Sequence, residues 1–213
     1  MKFKIRGVEC EVKFLFVALL AFFLIIDKTL NVFLTLLSSL IHECGHLFAM
    51  ILSGNKPEKV VFELGGINII NRSKTCLSFN KEIIIAFSGP LVNLVSTLLC
   101  CFVYVYVKNE KILTFASVNL ILMVFNLLPI KSLDGGRILY YFLSKKHNMS
   151  FSKRIIYVLS IIFIAITFSW GIYVFIHTGF NFSIIIIAVF LLLSLFSDNE
   201  CWNKKHFVVK YIE

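Results

Sequence analysis

Six runs of apolar residues, separated by short polar segments, dominate this sequence of 213 residues. They cover residues 14–26, 30–52, 83–107, 112–130, 155–176 and 182–196. Four runs have 19 residues or more, enough for an α-helix to cross the ~30 Å hydrocarbon core of a bilayer. The first and sixth have 13 and 15 residues and need flanking residues or snorkelling lysines to span. The pattern predicts an all-α polytopic membrane protein with about six transmembrane helices.

Composition excludes a soluble protein of this size. Hydrophobic residues make up 59% of the chain and charged residues 15%, against roughly 25% charged residues in soluble domains. The mean hydropathy is +0.89. A small soluble fold could not bury so much apolar surface, so the lipid bilayer is an expected partner.

The positions of the basic residues predict an orientation in the membrane. With six spans and a cytoplasmic N-terminus, the segments 1–13, 53–82, 131–154 and 197–213 lie inside. They contain 18 of the 21 Lys and Arg residues, as the positive-inside rule requires. The split predicts a multi-pass cell-membrane protein with both termini in the cytoplasm. It also accounts for the net charge of +9 without a nucleic-acid partner.

The loops are too short to form a separate soluble domain. We therefore expect one membrane-embedded domain over residues 1–213, with a functional core over 30–140. Within the segment 53–82, two runs of β-forming residues flank Gly65-Gly66, which predicts a small β-hairpin on the cytoplasmic side after the second span. The alternative is a plain connecting loop.

Ionisable residues inside the second predicted span form the sequence His42-Glu43-Cys44-Gly45-His46. Such residues are costly in lipid and indicate a functional site. On a helix, His42 and His46 project from one face, so both imidazoles can bind one Zn²⁺. Glu43 is placed to take a proton from water at the metal, which makes it the candidate catalytic base.

A tetrahedral zinc site with one open position needs a third protein ligand. Asp134 is the candidate, because it follows the fourth predicted span on the side of the membrane that His42 and His46 approach. Pro129 and the pair Gly135-Gly136 are expected to break the helix and turn Asp134 inward. The alternative is that Asp134 only caps a loop turn.

A third polar cluster lies early in the predicted span 83–107, from Ser88 to Asn93. Gly89 permits close approach of another helix, and Pro90 frees a backbone carbonyl. Asn93 is a candidate contact for a substrate or for the oxyanion that forms during catalysis. The alternative is helix packing, with Asn93 making one interhelical hydrogen bond.

These motifs resemble those of the site-2 protease family of intramembrane zinc metalloproteases. The resemblance rests on three sequences, His42-Glu-Cys-Gly-His46, Ser88-Gly-Pro-Leu-Val-Asn93, and Asn126-Leu-Leu-Pro129 followed by Leu133-Asp134-Gly-Gly136. It covers about residues 30–140. The span count and the internal N-terminus are most similar to the stage IV sporulation branch, which processes a pro-sigma factor.

The resemblance implies that His42, His46 and Asp134 bind Zn²⁺, that Glu43 is the catalytic base, and that Asn126 lies near the site. Asn126, like Asn93, is then a candidate contact for the oxyanion or the substrate. The chain departs from the family at Lys131-Ser132, where proline is common. The expected activity is that of a zinc metalloendopeptidase acting within the membrane.

The expected substrate is a membrane-associated or transmembrane protein, such as a pro-sigma factor in sporulation, and inhibitory membrane proteins are candidate partners. The same chemistry would serve the maturation of a secreted peptide or the clearance of signal peptides. Outside the proteases, the alternative is a membrane transporter for metal ions or protons. A transporter would not need a glutamate between two histidines at this spacing.

Overall fold

The computed structural model describes residues 2–5, 8–27, 29–54, 59–63, 66–70, 77–179 and 181–196. In these residues the chain forms four strands and seven helices. In chain order they are β1 Lys2–Ile5, β2 Val8–Val12, α1 Phe14–Ile26, α2 Asn31–Leu52, β3 Lys59–Glu63, β4 Gly66–Ile70, α3 Phe79–Val107, α4 Glu110–Asn126, α5 Asp134–Ser144, α6 Met149–Thr178 and α7 Ser183–Phe196.

Three helices, α2, α3 and α6, are long and apolar enough to cross a bilayer. Large apolar side chains such as Phe48, Phe102 and Ile166 are exposed on them, as lipid contact requires. The protein is therefore a multi-pass membrane protein. Helices α1, α4 and α7 coincide with the three other predicted spans, but they have 13, 17 and 14 residues. A full crossing takes about 20 residues, so six crossings stay a prediction.

The four strands form one sheet in the order β1-β2-β3-β4. Strands β1 and β2 are antiparallel, β2 and β3 are parallel, and β3 and β4 are antiparallel. The first two strands were not predicted, because the charges of residues 1–13 were interpreted only as an orientation signal. Those charges alternate with apolar residues, as in Lys2-Phe3-Lys4-Ile5, and this period of two is typical of a strand.

Residues 1–75 and 84–126 form one compact unit. In its described part, α2 packs on α4, and Asn119 donates a hydrogen bond across this interface to Ser38 Oγ at 3.0 Å. Helix α2 also lies close to the backbone of α3. A Cβ at Gly45 would be only 2.8 Å from the carbonyl oxygen of Ser88, so a larger residue at position 45 would push the two helices apart.

Residues 76–83 and 127–213 form a second compact unit, in which α6 packs on both α5 and α7. Its core contains Tyr140, Tyr141 and Ile156, with Phe79 and Ile83 packed against them. The sequence predicted only a loop over residues 131–154, and this was wrong, because α5 occupies Asp134–Ser144. Helix α5 is short and has one apolar face, so a search for long apolar runs does not detect it.

Candidate metal centre

His42 and His46 lie together on one face of α2, as their spacing predicts. Their Nε2 atoms are 3.1 Å apart, and the ring planes are nearly perpendicular, at 85°. Only 4% of His42 and 5% of His46 is exposed. Two buried imidazoles that direct Nε2 to the same point form half of a tetrahedral metal site.

The other ring nitrogen of His46 is held by α3. Its Nδ1 lies 2.7 Å from the carbonyl oxygen of Ile85. The same carbonyl oxygen accepts a hydrogen bond from Ser88 Oγ at 2.6 Å. Pro90, inside α3, has no N–H to donate, but the carbonyl that it leaves free in the helix is that of Ala86 and not that of Ile85. The sequence suggested that Pro90 would free a carbonyl, but it could not identify His46 as the donor to this turn.

The other ring nitrogen of His42 also faces α3. Its Nδ1 lies 3.0 Å from the side-chain amide of Asn93, which is fully buried. Asn93 therefore contacts the back of a candidate metal ligand. Its predicted contact with an oxyanion or a substrate stays a prediction.

Gly89 leaves the space that the two imidazoles fill. A Cβ at this position would lie 2.4 Å from His46 Nε2 and 2.8 Å from His42 Cε1. Such distances are far inside van der Waals contact, and the neighbouring atoms belong to two buried rings. The sequence predicted that Gly89 allows a close helix approach, and the structure identifies the groups that approach it as the two imidazoles.

Glu43 follows His42 on α2 and is half-buried, whereas the next residue, Cys44, is exposed. A partly exposed carboxylate beside two buried imidazoles is compatible with proton exchange with water. Its assignment as the catalytic base stays a prediction.

Asp134 is the first residue of α5 and is buried, with 6% exposed. A carboxylate in the first turn of a helix is stabilised by the helix dipole. Arg137, one turn later, places Nη1 3.7 Å from Asp134 Oδ1. The sequence alone missed Arg137, although an Asp-Arg pair at i and i+3 would have indicated it if α5 had been recognised.

Gly135 and Gly136 have a different role from the predicted one. They do not break a helix but form the first turn of α5, and α4 ends at Asn126, before Pro129. A Cβ at Gly135 would lie 2.1 Å from the carbonyl oxygen of Leu127, and one at Gly136 would lie 2.1 Å from that of Ile130. The two glycines thus let the start of α5 pack directly on the preceding backbone.

Lys131, in the segment where the sequence departs from the expected pattern, donates a hydrogen bond to each of two other helices. Its backbone N–H donates to Ser160 Oγ on α6 at 2.8 Å, and its Nζ donates to the carbonyl of Leu195 near the end of α7 at 3.0 Å. A proline here would lose both bonds. Lys131 therefore joins the segment before Asp134 to α6 and α7.

Asn126, the last residue of α4, donates from Nδ2 to the carbonyl of Leu122 in its own helix at 3.0 Å. This bond satisfies the amide locally. The predicted contact of Asn126 with substrate or oxyanion stays a prediction.

His42, His46 and Asp134 make up a group that could hold a metal ion. All three are buried, and each offers a ligand atom, with these atoms within 4.8 Å of one another. Two imidazole nitrogens and one carboxylate oxygen are a donor set that suits zinc and leaves a position for water. The residues therefore fit the metal that the sequence motif implies.

A family model and two curated relatives match the sequence of this chain. A model described as "Peptidase family M50" matches residues 109–170, a segment that includes Asp134. A zinc metalloprotease of Methanocaldococcus jannaschii is 30% identical over 166 residues, which are 72% of this chain and 48% of that protein. Stage IV sporulation protein FB of Bacillus subtilis is 25% identical over 177 residues, 81% of this chain and 59% of that protein. The chain thus spans about half the length of the curated relatives it matches.

A solved structure has a similar fold. The solved structure of a site-2 protease from Methanocaldococcus jannaschii matches with a TM-score of 0.67 and 24% sequence identity, over 92% of this chain and 93% of that chain. The resemblance inferred from the sequence motifs is confirmed. The chain is therefore similar in sequence to peptidase family M50 and similar in fold to a site-2 protease.

Proposed function

We propose that this protein is an intramembrane zinc metalloendopeptidase, in which His42, His46 and Asp134 hold the metal. The observation that carries the proposal is the convergence of these three buried donors. Zinc bound there would supply Lewis-acid chemistry, which polarises a carbonyl and makes water a usable nucleophile near neutral pH.

Glu43 is the proposed general base. It takes a proton from the attacking water and passes it to the nitrogen of the leaving amine, so one carboxylate serves both halves of peptide hydrolysis. Its half-buried position beside His42 supports this role. Asn93 and Asn126 stay proposed contacts for the oxyanion or the substrate, and in the structure Asn93 contacts His42 while Asn126 donates to the carbonyl of Leu122.

The proposed substrate is a membrane-associated or transmembrane protein, which the bilayer brings to the site. Similarity to stage IV sporulation protein FB supports a role in processing a pro-sigma factor, with inhibitory membrane proteins as candidate partners. The same chemistry would serve maturation of a secreted peptide or clearance of signal peptides. A transporter would not require Glu43 or a third metal ligand.

The proposed arrangement is a single membrane-embedded domain over residues 1–213, with six crossings and both termini in the cytoplasm. The sheet supports the placement of two of its segments on the same side of the membrane. Strands β2 and β3 are paired in parallel, so residues 8–12 and 59–63 must lie on the same side of the membrane. The charge distribution assigns both segments to the cytoplasm.

The test of the proposed function is Glu43→Gln in the purified full-length protein, with a membrane-anchored peptide library as substrate. The variant is nearly isosteric and leaves all three metal ligands in place. We expect cleavage to fall by at least about a hundredfold, the size of a lost general base, while the zinc content stays that of wild type. Cleavage at the wild-type rate would contradict the role of Glu43, and a wild-type protein that cleaves nothing and binds no zinc would contradict the proposed function.

A further inference from the structure

We propose that Asn93 is a positioning residue for the metal: its side-chain oxygen accepts the Nδ1–H of His42 and so keeps the Nε2 lone pair of His42 available to zinc. This inference rests on the proposed zinc site, and it assigns Asn93 a task different from the oxyanion or substrate contact predicted from sequence.

The tautomer of His46 is fixed by its partner. The carbonyl oxygen of Ile85 can only accept a hydrogen bond, so His46 Nδ1, 2.7 Å away, carries the proton and donates it. Neutral His46 then presents a lone pair at Nε2. A backbone carbonyl behind the ring is a common way to orient a metal-binding histidine.

His42 must reach the same tautomer if both histidines bind one ion. Its Nε2 lies 3.1 Å from His46 Nε2, so a cation between them needs a lone pair from each ring. The proton of His42 then sits on Nδ1, and the group behind Nδ1 must accept it. That group is the amide of Asn93, at 3.0 Å.

Asn93 can supply the acceptor by a half-turn of its amide. In the orientation of the structure, Nδ2 faces His42, and Oδ1 is buried without a hydrogen-bond partner. Exchanging the two atoms therefore breaks no other bond of Oδ1. The oxygen and nitrogen of an amide occupy nearly the same positions, so the contact with His42 keeps its length.

The backbone around Asn93 is held in place, so that the amide has a defined position. The hydroxyl of Thr97 donates to the carbonyl of Asn93 at 2.9 Å, and the carbonyl of Ala116 on α4 lies 3.3 Å away as a second, more distant acceptor for the same proton. Asn93 itself is fully buried, one turn after Gly89, the residue that packs against the imidazoles. A short side chain with an acceptor oxygen therefore has a fixed place behind the His42 ring.

The test measures zinc affinity of purified full-length variants by competition with a chromophoric chelator. Asn93→Leu removes the acceptor at nearly constant volume, and we expect zinc affinity to fall by about 10- to 100-fold, the usual effect of losing a group behind a metal-binding histidine. Asn93→Asp keeps an acceptor and loses the donor, so its affinity should stay within about threefold of wild type. Asn119→Leu is the matched control, because Asn119 is equally buried but bonds Ser38 instead of a histidine.

The outcomes separate this inference from the proposed function. Weaker zinc binding in Asn93→Leu, with wild-type affinity in Asn93→Asp and Asn119→Leu, supports the acceptor role. Equal loss in Asn93→Leu and Asn93→Asp would mean that the amide acts as a donor, and it would overturn the inference while the zinc site stands. Wild-type affinity in a folded Asn93→Leu protein would also overturn it. A wild-type protein without zinc would contradict the proposed function first.

Discussion

In each imidazole of the His42–His46 pair, Nδ1 contacts a group on α3 and Nε2 is directed toward the proposed metal. The i and i+4 spacing was enough to predict that both rings share a face of α2. The groups behind the rings could not be predicted, because Ile85 and Asn93 are distant in sequence, and the contact of Ile85 is through its backbone carbonyl. Asp134 was identified by its position after a span, whereas its neighbour Arg137 required knowledge of α5.

The side chain of Lys131 is expected to contribute to the thermal stability of the protein. Lys131→Met keeps the length of the side chain but removes the charged donor to the carbonyl of Leu195. A hydrogen bond from a charged group contributes about 1–3 kcal/mol, so the variant should denature at a lower temperature than wild type. Scanning calorimetry in detergent can measure the shift. Lys145→Met is the control, since Lys145 is exposed on the same unit, and an equal shift in both variants would contradict a specific role of Lys131.

Among the elements, each of the six apolar runs contains a helix, the form in which a backbone in lipid can satisfy its own hydrogen bonds. The boundaries of α1 agree with the prediction to the residue, and those of α2 and α7 to within one residue. Strands β1 and β2 and helix α5 were missed. These three segments are short and amphipathic, and they are stabilised by packing against other elements rather than by contact with lipid.

Gly89 gives a prediction about the packing of α2 on α3. Gly89→Ala adds one methyl group where the imidazoles of His42 and His46 lie, and overpacking of a buried site costs about 1–3 kcal/mol. The rings must move to make room, so we expect zinc affinity to fall by roughly tenfold or more. Chelator competition measures the affinity. Leu91→Ala, on the exposed face of α3, is the control. Unchanged affinity in a folded Gly89→Ala protein would contradict the packing described here.

The carboxylate of Asp27, just before α2, is expected to make the stability of the folded protein depend on pH. Its carboxylate accepts hydrogen bonds from the hydroxyl and the N–H of Thr29 and from the N–H of Val32. These bonds, led by that of the Thr29 hydroxyl, lower the pKa of Asp27 below its ordinary value of 3.8. The ionised carboxylate therefore stabilises the folded state above pH 3.8, and this contribution is lost as the pH falls through the lower pKa of the folded protein.

Asp27→Asn tests this contribution, because it removes the titrating group and keeps one acceptor. Wild type should denature at a higher temperature than the variant at neutral pH, and the difference should shrink below about pH 4. Melting curves over a pH series can follow it. A difference that stays constant down to pH 2 would show that the charge of Asp27 is not involved.

For the whole molecule, the similarity to the site-2 proteases and a multi-pass membrane fold could be predicted from the motifs and the apolar runs. The basic residues predict the orientation, and the sheet that joins residues 8–12 to 59–63 supports only the placement of these two segments on the same side of the membrane. The substrate could not be predicted, since hydrolysis by this donor set requires a peptide carbonyl but no particular side chain.

Orientation is tested by labelling single cysteines in a variant that lacks the six native cysteines. Cysteine at Ile5 or Lys205 should react with a membrane-impermeant maleimide only after the cells are opened, because both termini are proposed to be cytoplasmic. Cysteine at Lys111, in a proposed external loop, should react in intact cells. Labelling of position 5 or 205 from outside would contradict the orientation.

The zinc site can be tested by the metal content of the purified protein and of two ligand variants, measured by elemental analysis after dialysis against a weak chelator. We expect one zinc ion per chain in wild type and little or none in His46→Ala and Asp134→Ala, since each leaves only two protein ligands. Asn119→Leu should retain the metal. Full zinc occupancy in either ligand variant, or a folded wild-type protein that takes up no zinc, would contradict the proposed metal site.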